Sequence, residues 1–140
     1  MGHHIKAIIG KTEILSNIVS DWHTAKQTML MDNYGFIFLS DTLFDDITEQ
    51  SNIPNTMHHE NMIFFTSAIH AFLSKYSQNG KLAYIETDFF GGHGTRTGIL
   101  FENMQVSITP TSNITKILHQ LGIVYQNPFA AIGLSKHRFL

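Results

Sequence analysis

One segment of the chain leaves its backbone little choice. Residues 81–103 read KLAYIETDFFGGHGTRTGILFEN, two runs of β-branched and aromatic residues around a glycine cluster. This pattern predicts an antiparallel hairpin, because glycine tolerates the positive φ values of tight turns and bulges. With the tip at residues 91–95, Phe90 would face Arg96, Asp88 would face Gly98, Glu86 would face Leu100 and Tyr84 would face Glu102. Period-two alternation then gives one apolar face of Ala83, Ile85, Thr87, Phe89, Thr97, Ile99 and Phe101. The other face would gather Leu82, Tyr84, Glu86, Asp88, Phe90, Arg96, Leu100 and Glu102, a surface of acids, aromatics and one Arg. GGHGTR is not expected to cradle a phosphate. Such loops open a helix, whereas these glycines run into the strand pattern TGILF.

The remaining elements follow from periodicity. His3–Ile9 reads as a strand ended by Gly10, and Thr12–Trp22 as an amphipathic helix carrying Ile14, Leu15, Ile18, Val19 and Trp22 on one side. Tyr34–Leu39 is a continuous apolar run that suits a strand covered on both faces. Ser40 or Asp41 caps a helix reaching about Gln50, with Leu43, Phe44 and Ile47 inward and Asp45, Asp46 and Glu49 outward. Residues 51–56 read as a loop, Asn61–Tyr76 as the longest helix, Gln105–Thr109 as a short strand, and Ile114–Leu121 as a helix closed by Gly122. The tail after Pro128 is expected to be irregular. The order β-α-β-α-α-β-β-β-α predicts an α/β (α+β) fold over residues 1–140, a single domain with a mixed sheet of about four to five strands and helices packed on it. Whether helices cover one face or both is left open by the pattern.

Charge is distributed unevenly. Between Lys26 and Lys75 there is no Lys or Arg, while Asp32, Asp41, Asp45, Asp46, Glu49 and Glu60 give that interval −6; the rest carries nine bases against five acids, +4, for the overall −2. Acids early in a helix favour its positive end, which accounts for some of them structurally. A one-sign surface also steers an opposite-sign protein during encounter. No Lys/Arg cluster exists to neutralise phosphates, so direct nucleic-acid binding is not expected. No apolar run reaches the length of a membrane span and no leader pattern opens the chain, so a cytoplasmic protein without membrane contact is the expectation. Cysteine is absent, which removes disulfide and thiolate chemistry.

Nine histidines raise the question of metal binding. His58, His59 and Glu60 are adjacent, so their side chains diverge on any regular element, and no H-E-x-x-H spacing occurs. His70 and His119 fall on helices, where packing is the ordinary role. His93, near Arg96, is the histidine best placed for a partner contact or for acid–base work. Glu86 and Asp88 would pair for acid–base chemistry if their environments differed. No G-x-S-x-G occurs. Neither a cofactor nor a bound metal is expected, and an enzyme is not the favoured reading.

Tyr84, Glu86, Phe89, Phe90, Gly91, Gly92, Gly94 and Arg96 match the pattern Y-x-E-x-x-[YF]-F-G-G-x-G-x-[QR]. With the terminal KILHQLGI, this segment resembles small bacterial immunity proteins encoded beside contact-dependent or polymorphic toxins. The resemblance implies a protein that binds a toxin domain, commonly a nuclease, and occludes its active site or an essential surface. Such a partner would present a basic surface to Asp41, Asp45, Asp46 and Glu49, with Glu86, Asp88, His93 and Arg96 as a second contact group. The alternatives are a small-molecule-binding domain or hydrolase with a site near Glu86, Asp88, His93 and Arg96, and a homodimer formed through the hairpin face.

Overall fold

A computed structural model of the chain describes residues 3–31, 33–53, 62–90 and 93–123. Consecutive residues of a strand point to opposite sides, yet Ile8 and Ile9 of β1 (His3–Lys11) are both sealed from water, as are Tyr84 and Ile85 of β4 (Leu82–Phe90). A strand buried on both sides needs cover on both sides, and the helices supply it. Thr12–Asp21 (α1), Asp41–Ser51 (α2) and Ser67–Tyr76 (α3) pack through Leu15, Ile18, Leu43, Ile47, Ile69 and Leu73 onto the face carrying Ile8 and Tyr84. Ile114–Leu121 (α4) packs through Ile114, Ile117, Leu118 and Leu121 onto the face carrying Ile9 and Ile85. The result is three layers, with the sheet in the middle.

The remaining strands are β2 (Gln27–Met31), β3 (Tyr34–Phe38), β5 (His93–Glu102) and β6 (Gln105–Thr111). They give a six-stranded sheet in the order β2-β3-β1-β4-β5-β6. The α+β class is as expected. The sheet is larger than four to five strands, and each of its pairings is antiparallel. The added strand is β2, with the sequence QTMLM, an edge strand that pairs only with β3 and slips register between Met29 and Met31.

Local signals set the helix ends. The Ser40 hydroxyl accepts from the Leu43 N–H at 3.1 Å, and α2 closes at Asn52 in the left-handed region. The helix expected from Asn61 begins instead at Ser67, capped by Thr66, whose hydroxyl accepts from the Ile69 N–H. Residue 61 itself, the His58-His59-Glu60 cluster, Asp32 and the tail after Pro128 lie outside the described residues.

The hairpin register differs from the expected one. Asp88 pairs with Thr95, Glu86 with Thr97, Tyr84 with Ile99 and Leu82 with Phe101. Thr95 thus stands where Gly98 was expected opposite Asp88, a slip of three residues. An odd slip moves every β5 side chain to the other face. It places Ile99 and Phe101 with Tyr84 in one core, and Leu100 with Ile85 in the other. Gly98 then lies beneath α4, where a side chain would collide with the tips of Ile117 and Ile114. Among the described residues no helix is long and apolar enough to cross a membrane.

The end of α4 supplies a stability test. Gly122 has φ +114°, and a Cβ there would also run into the Tyr34 hydroxyl, which donates to the Leu121 carbonyl at 3.1 Å. Gly122→Ala is therefore expected to lower the unfolding free energy by about 1–3 kcal/mol. The urea midpoint measures this, and an unchanged midpoint would refute the strained cap.

Candidate functional site

The charged groups of β4 sort into an inside and an outside. Glu86 is only 2% exposed. Its carboxylate accepts from the Tyr84 hydroxyl at 2.6 Å and from the Phe64 N–H at 3.0 Å. Burial, and then the neighbouring Glu86 charge, pushes the Tyr84 hydroxyl well above the ordinary tyrosine range. The cross-strand partner of Glu86 is Lys6. The Lys6 amine sits 3.7 Å above the Phe64 ring and 3.2 Å from the Asp41 carboxylate. The lysine that stands across the strand pair from this buried acid thus reaches an exposed acid at the start of α2.

This geometry corrects the expected contact group of Glu86, Asp88, His93 and Arg96. Glu86 is not on the surface, because its hydrogen bonds hold it beneath the segment that leads into α3. Asp88 is exposed on the same face, two residues nearer the hairpin end. Arg96 is exposed but pairs with Thr87, so it projects from the opposite side of the sheet. His93 pairs through its backbone with Phe90, and its side chain lies outside the described residues. Glu86 and Arg96 therefore lie on opposite sides of the sheet and do not face one common pocket. No group of three His, Asp or Glu that could hold a metal occurs among the described residues.

Three of the four α2 acids share one exposed side of the helix. Asp41, Asp45 and Glu49 recur every four residues and form one exposed stripe, while Leu43 and Ile47 on the far side enter the core. Asp46 flanks the stripe, half-buried, and accepts from the Thr24 hydroxyl at 2.7 Å. Phe44 packs edge-on against Phe64 at 5.3 Å, which fixes the roll of the helix about its axis.

Between α2 and α3 lies a groove of about 300 Å³ whose lining includes Trp22, Ile47, Gln50, Phe72, Lys75 and Tyr76. Sequence reasoning missed it. Trp22, Phe72 and Tyr76 carry the periodic signal of core residues, and nothing local says that their edges meet at a concave surface. Trp22 meets Phe72 edge-on at 5.6 Å. The Trp22 N–H donates to the Tyr76 oxygen at 3.0 Å, and the Tyr76 hydroxyl donates to Asp21 at 2.6 Å. Burial first, and the Asp21 hydrogen bond second, push the Tyr76 hydroxyl up to about 12.

Comparison with known proteins finds no matching family model, no similar curated protein and no similar solved structure, so geometry and chemistry carry the functional reading.

Two tests bear on the polar interior. Glu86→Ala leaves the Tyr84 hydroxyl and the Phe64 N–H without this acceptor and should lower stability by about 2–5 kcal/mol. Glu86→Gln, which keeps one carbonyl oxygen, should cost less. Chemical denaturation of both variants decides this, and equal losses would argue against a hydrogen-bonding role. The second test concerns alkali. A tyrosine titrates near 10 when unfolded, and Tyr76 is raised to about 12 when folded. The unfolded chain therefore releases this proton first. The stability tied to neutral Tyr76 is complete below about pH 10 and is lost as pH rises through about 12. Unfolding free energies measured from pH 9 to pH 12 should fall less steeply for Tyr76→Phe than for the wild type.

Proposed function

We propose that the protein is an immunity-type inhibitor, a cytoplasmic binding protein that neutralises a basic toxin domain by docking on it through the acidic face of α2. One observation carries this reading: Asp41, Asp45 and Glu49 form one exposed stripe along α2, with Asp46 half-buried at its flank. The hairpin's resemblance to immunity proteins points the same way.

Physical scale says what such a face can do. An α-helix of 11 residues is about 16 Å long, whereas charges in physiological salt are screened over about 8 Å. The stripe therefore acts only on a surface that has nearly arrived. It orients that surface, and it raises the association rate more than the final affinity. A nuclease fits this field, because a protein that binds nucleic-acid phosphates must present clustered Lys and Arg. Covering those cations would exclude the substrate.

The direct test uses the C-terminal domain of the protein encoded immediately upstream. Asp45→Lys/Glu49→Lys, two exposed sites, should slow its association about 10- to 100-fold at low ionic strength and flatten the salt dependence. Stopped-flow mixing measures the rate. Inhibition of the domain's activity by the wild-type protein, weakened in the variant, measures the function. Equal rates, or a domain that stays active when saturated with the protein, would refute the proposal.

A further inference from the structure

The groove between α2 and α3 has an apolar floor and a polar mouth. Ile47, Ala68, Phe72 and Tyr76 are buried and form the floor, whereas Gln50 and Lys75 are exposed and form the mouth. Two alanines of α3, Ala68 and Ala71, leave the hollow open between larger neighbours. One wall is aromatic, since Trp22 meets Phe72 edge-on and the rings of Phe72 and Tyr76 lie 4.9 Å apart. The polar atoms of that wall are matched to one another, Trp22 to Tyr76 and Tyr76 to Asp21. Nearby, the Ser51 hydroxyl donates to the Thr48 carbonyl at 3.0 Å. The donors of Trp22, Ser51 and Tyr76 are thus all taken, and the interior suits an apolar body rather than a polar one.

The mouth has the opposite character. Among the described residues, the side chains of Lys75 and Gln50 have no hydrogen-bond or ion-pair partner. The Lys75 amine lies 5.2 Å from the Tyr76 ring centre, at one end of the aromatic wall, and it is the one charged group lining the groove. Asp21 is engaged by the Tyr76 hydroxyl and does not line it. Asp45 and Glu49 lie across α2 from Ile47 and do not line it either.

We propose that this groove binds a small monocarboxylate with an apolar ring as its body. The ring lies against Phe72 and Trp22, and the carboxylate meets the Lys75 ammonium and the Gln50 amide at the mouth. The volume of about 300 Å³ is at the small end of the roughly 300–1,000 Å³ range of ligand pockets, which admits one such molecule and excludes a dinucleotide. Charge selects the anion, because a cationic head would be set against Lys75. The site does not depend on the outer acids of α2, and it stands whether or not a toxin docks on them.

Trp22 is the sole tryptophan in the chain and lines the groove, so its emission reports on this site. The probes are phenylpropionate, phenylpropanamide and propionate, each titrated to millimolar concentration into the wild-type protein. Phenylpropionate should give a saturable shift of the emission. The amide, equal in shape but uncharged, should bind about three- to tenfold more weakly, and propionate should give no shift. Lys75→Met should bring the acid down to the affinity of the amide. Ala71→Phe, which narrows the groove, should abolish binding of both with retained circular dichroism. Equal affinities of acid and amide for the wild type would overturn the anion. Propionate that binds as tightly as phenylpropionate would overturn the apolar body. Binding that survives Ala71→Phe would put the ligand elsewhere and overturn the site, as would the absence of a shift with every probe.

Discussion

Ile8 and Ile9 follow one another in β1, and both are closed to water from opposite sides of the sheet; the same is true of Tyr84 and Ile85 in β4. Full burial of an aliphatic side chain is worth about 1.5–3 kcal/mol, so neither face of these central strands can be left wet. Three helices must close one face and α4 the other. The observed hairpin register sets Ile99 and Phe101 beside Tyr84 in one core and Leu100 with Ile85 in the other. Gly98 is the accompanying concession, a position without a side chain where α4 comes closest.

Glu86 shows how a charge is accommodated inside such a sheet. An isolated buried carboxylate is costly. Here two donors meet it, and Lys6 lies directly across the strand boundary. Lys6 in turn reaches Asp41, and its carbonyl accepts from the Leu39 N–H at 2.8 Å. The start of α2 is therefore tied to the middle of the sheet. With Phe44 seated on Phe64, the helix cannot roll, and the side bearing Asp45 and Glu49 is held toward solvent. The Lys6–Asp41 pair and the Phe44–Phe64 contact together set which residues of α2 form the outer surface.

Much of this was legible in the sequence where the signal is local. Ser40 at the α2 start, Gly122 at the α4 end and the three-four spacing of Ile14, Leu15 and Ile18 each report on their own turn of chain. The outward acids of α2 were readable for the same reason. Three things were not. Strand alternation loses its meaning when both faces are apolar, so the register of β4 with β5 could not be told from a slip of three residues. QTMLM alternates poorly because an edge strand buries only part of its surface. Glu86 is a surface residue by type, and its donor Phe64 and cross-strand neighbour Lys6 are remote in sequence. The groove is illegible for that last reason too, since Trp22, Ile47 and Phe72 meet only after α1, α2 and α3 have packed.

The reading turns on whether the acidic side of α2 is where a basic partner sits. Amide hydrogen exchange of the wild-type protein, with and without the upstream-encoded domain, tests it without altering a residue. The account predicts slowed exchange on binding across residues 41–51, with 93–112 unchanged. Protection confined to the β5–β6 hairpin, with α2 exchanging at its free rate, would contradict it.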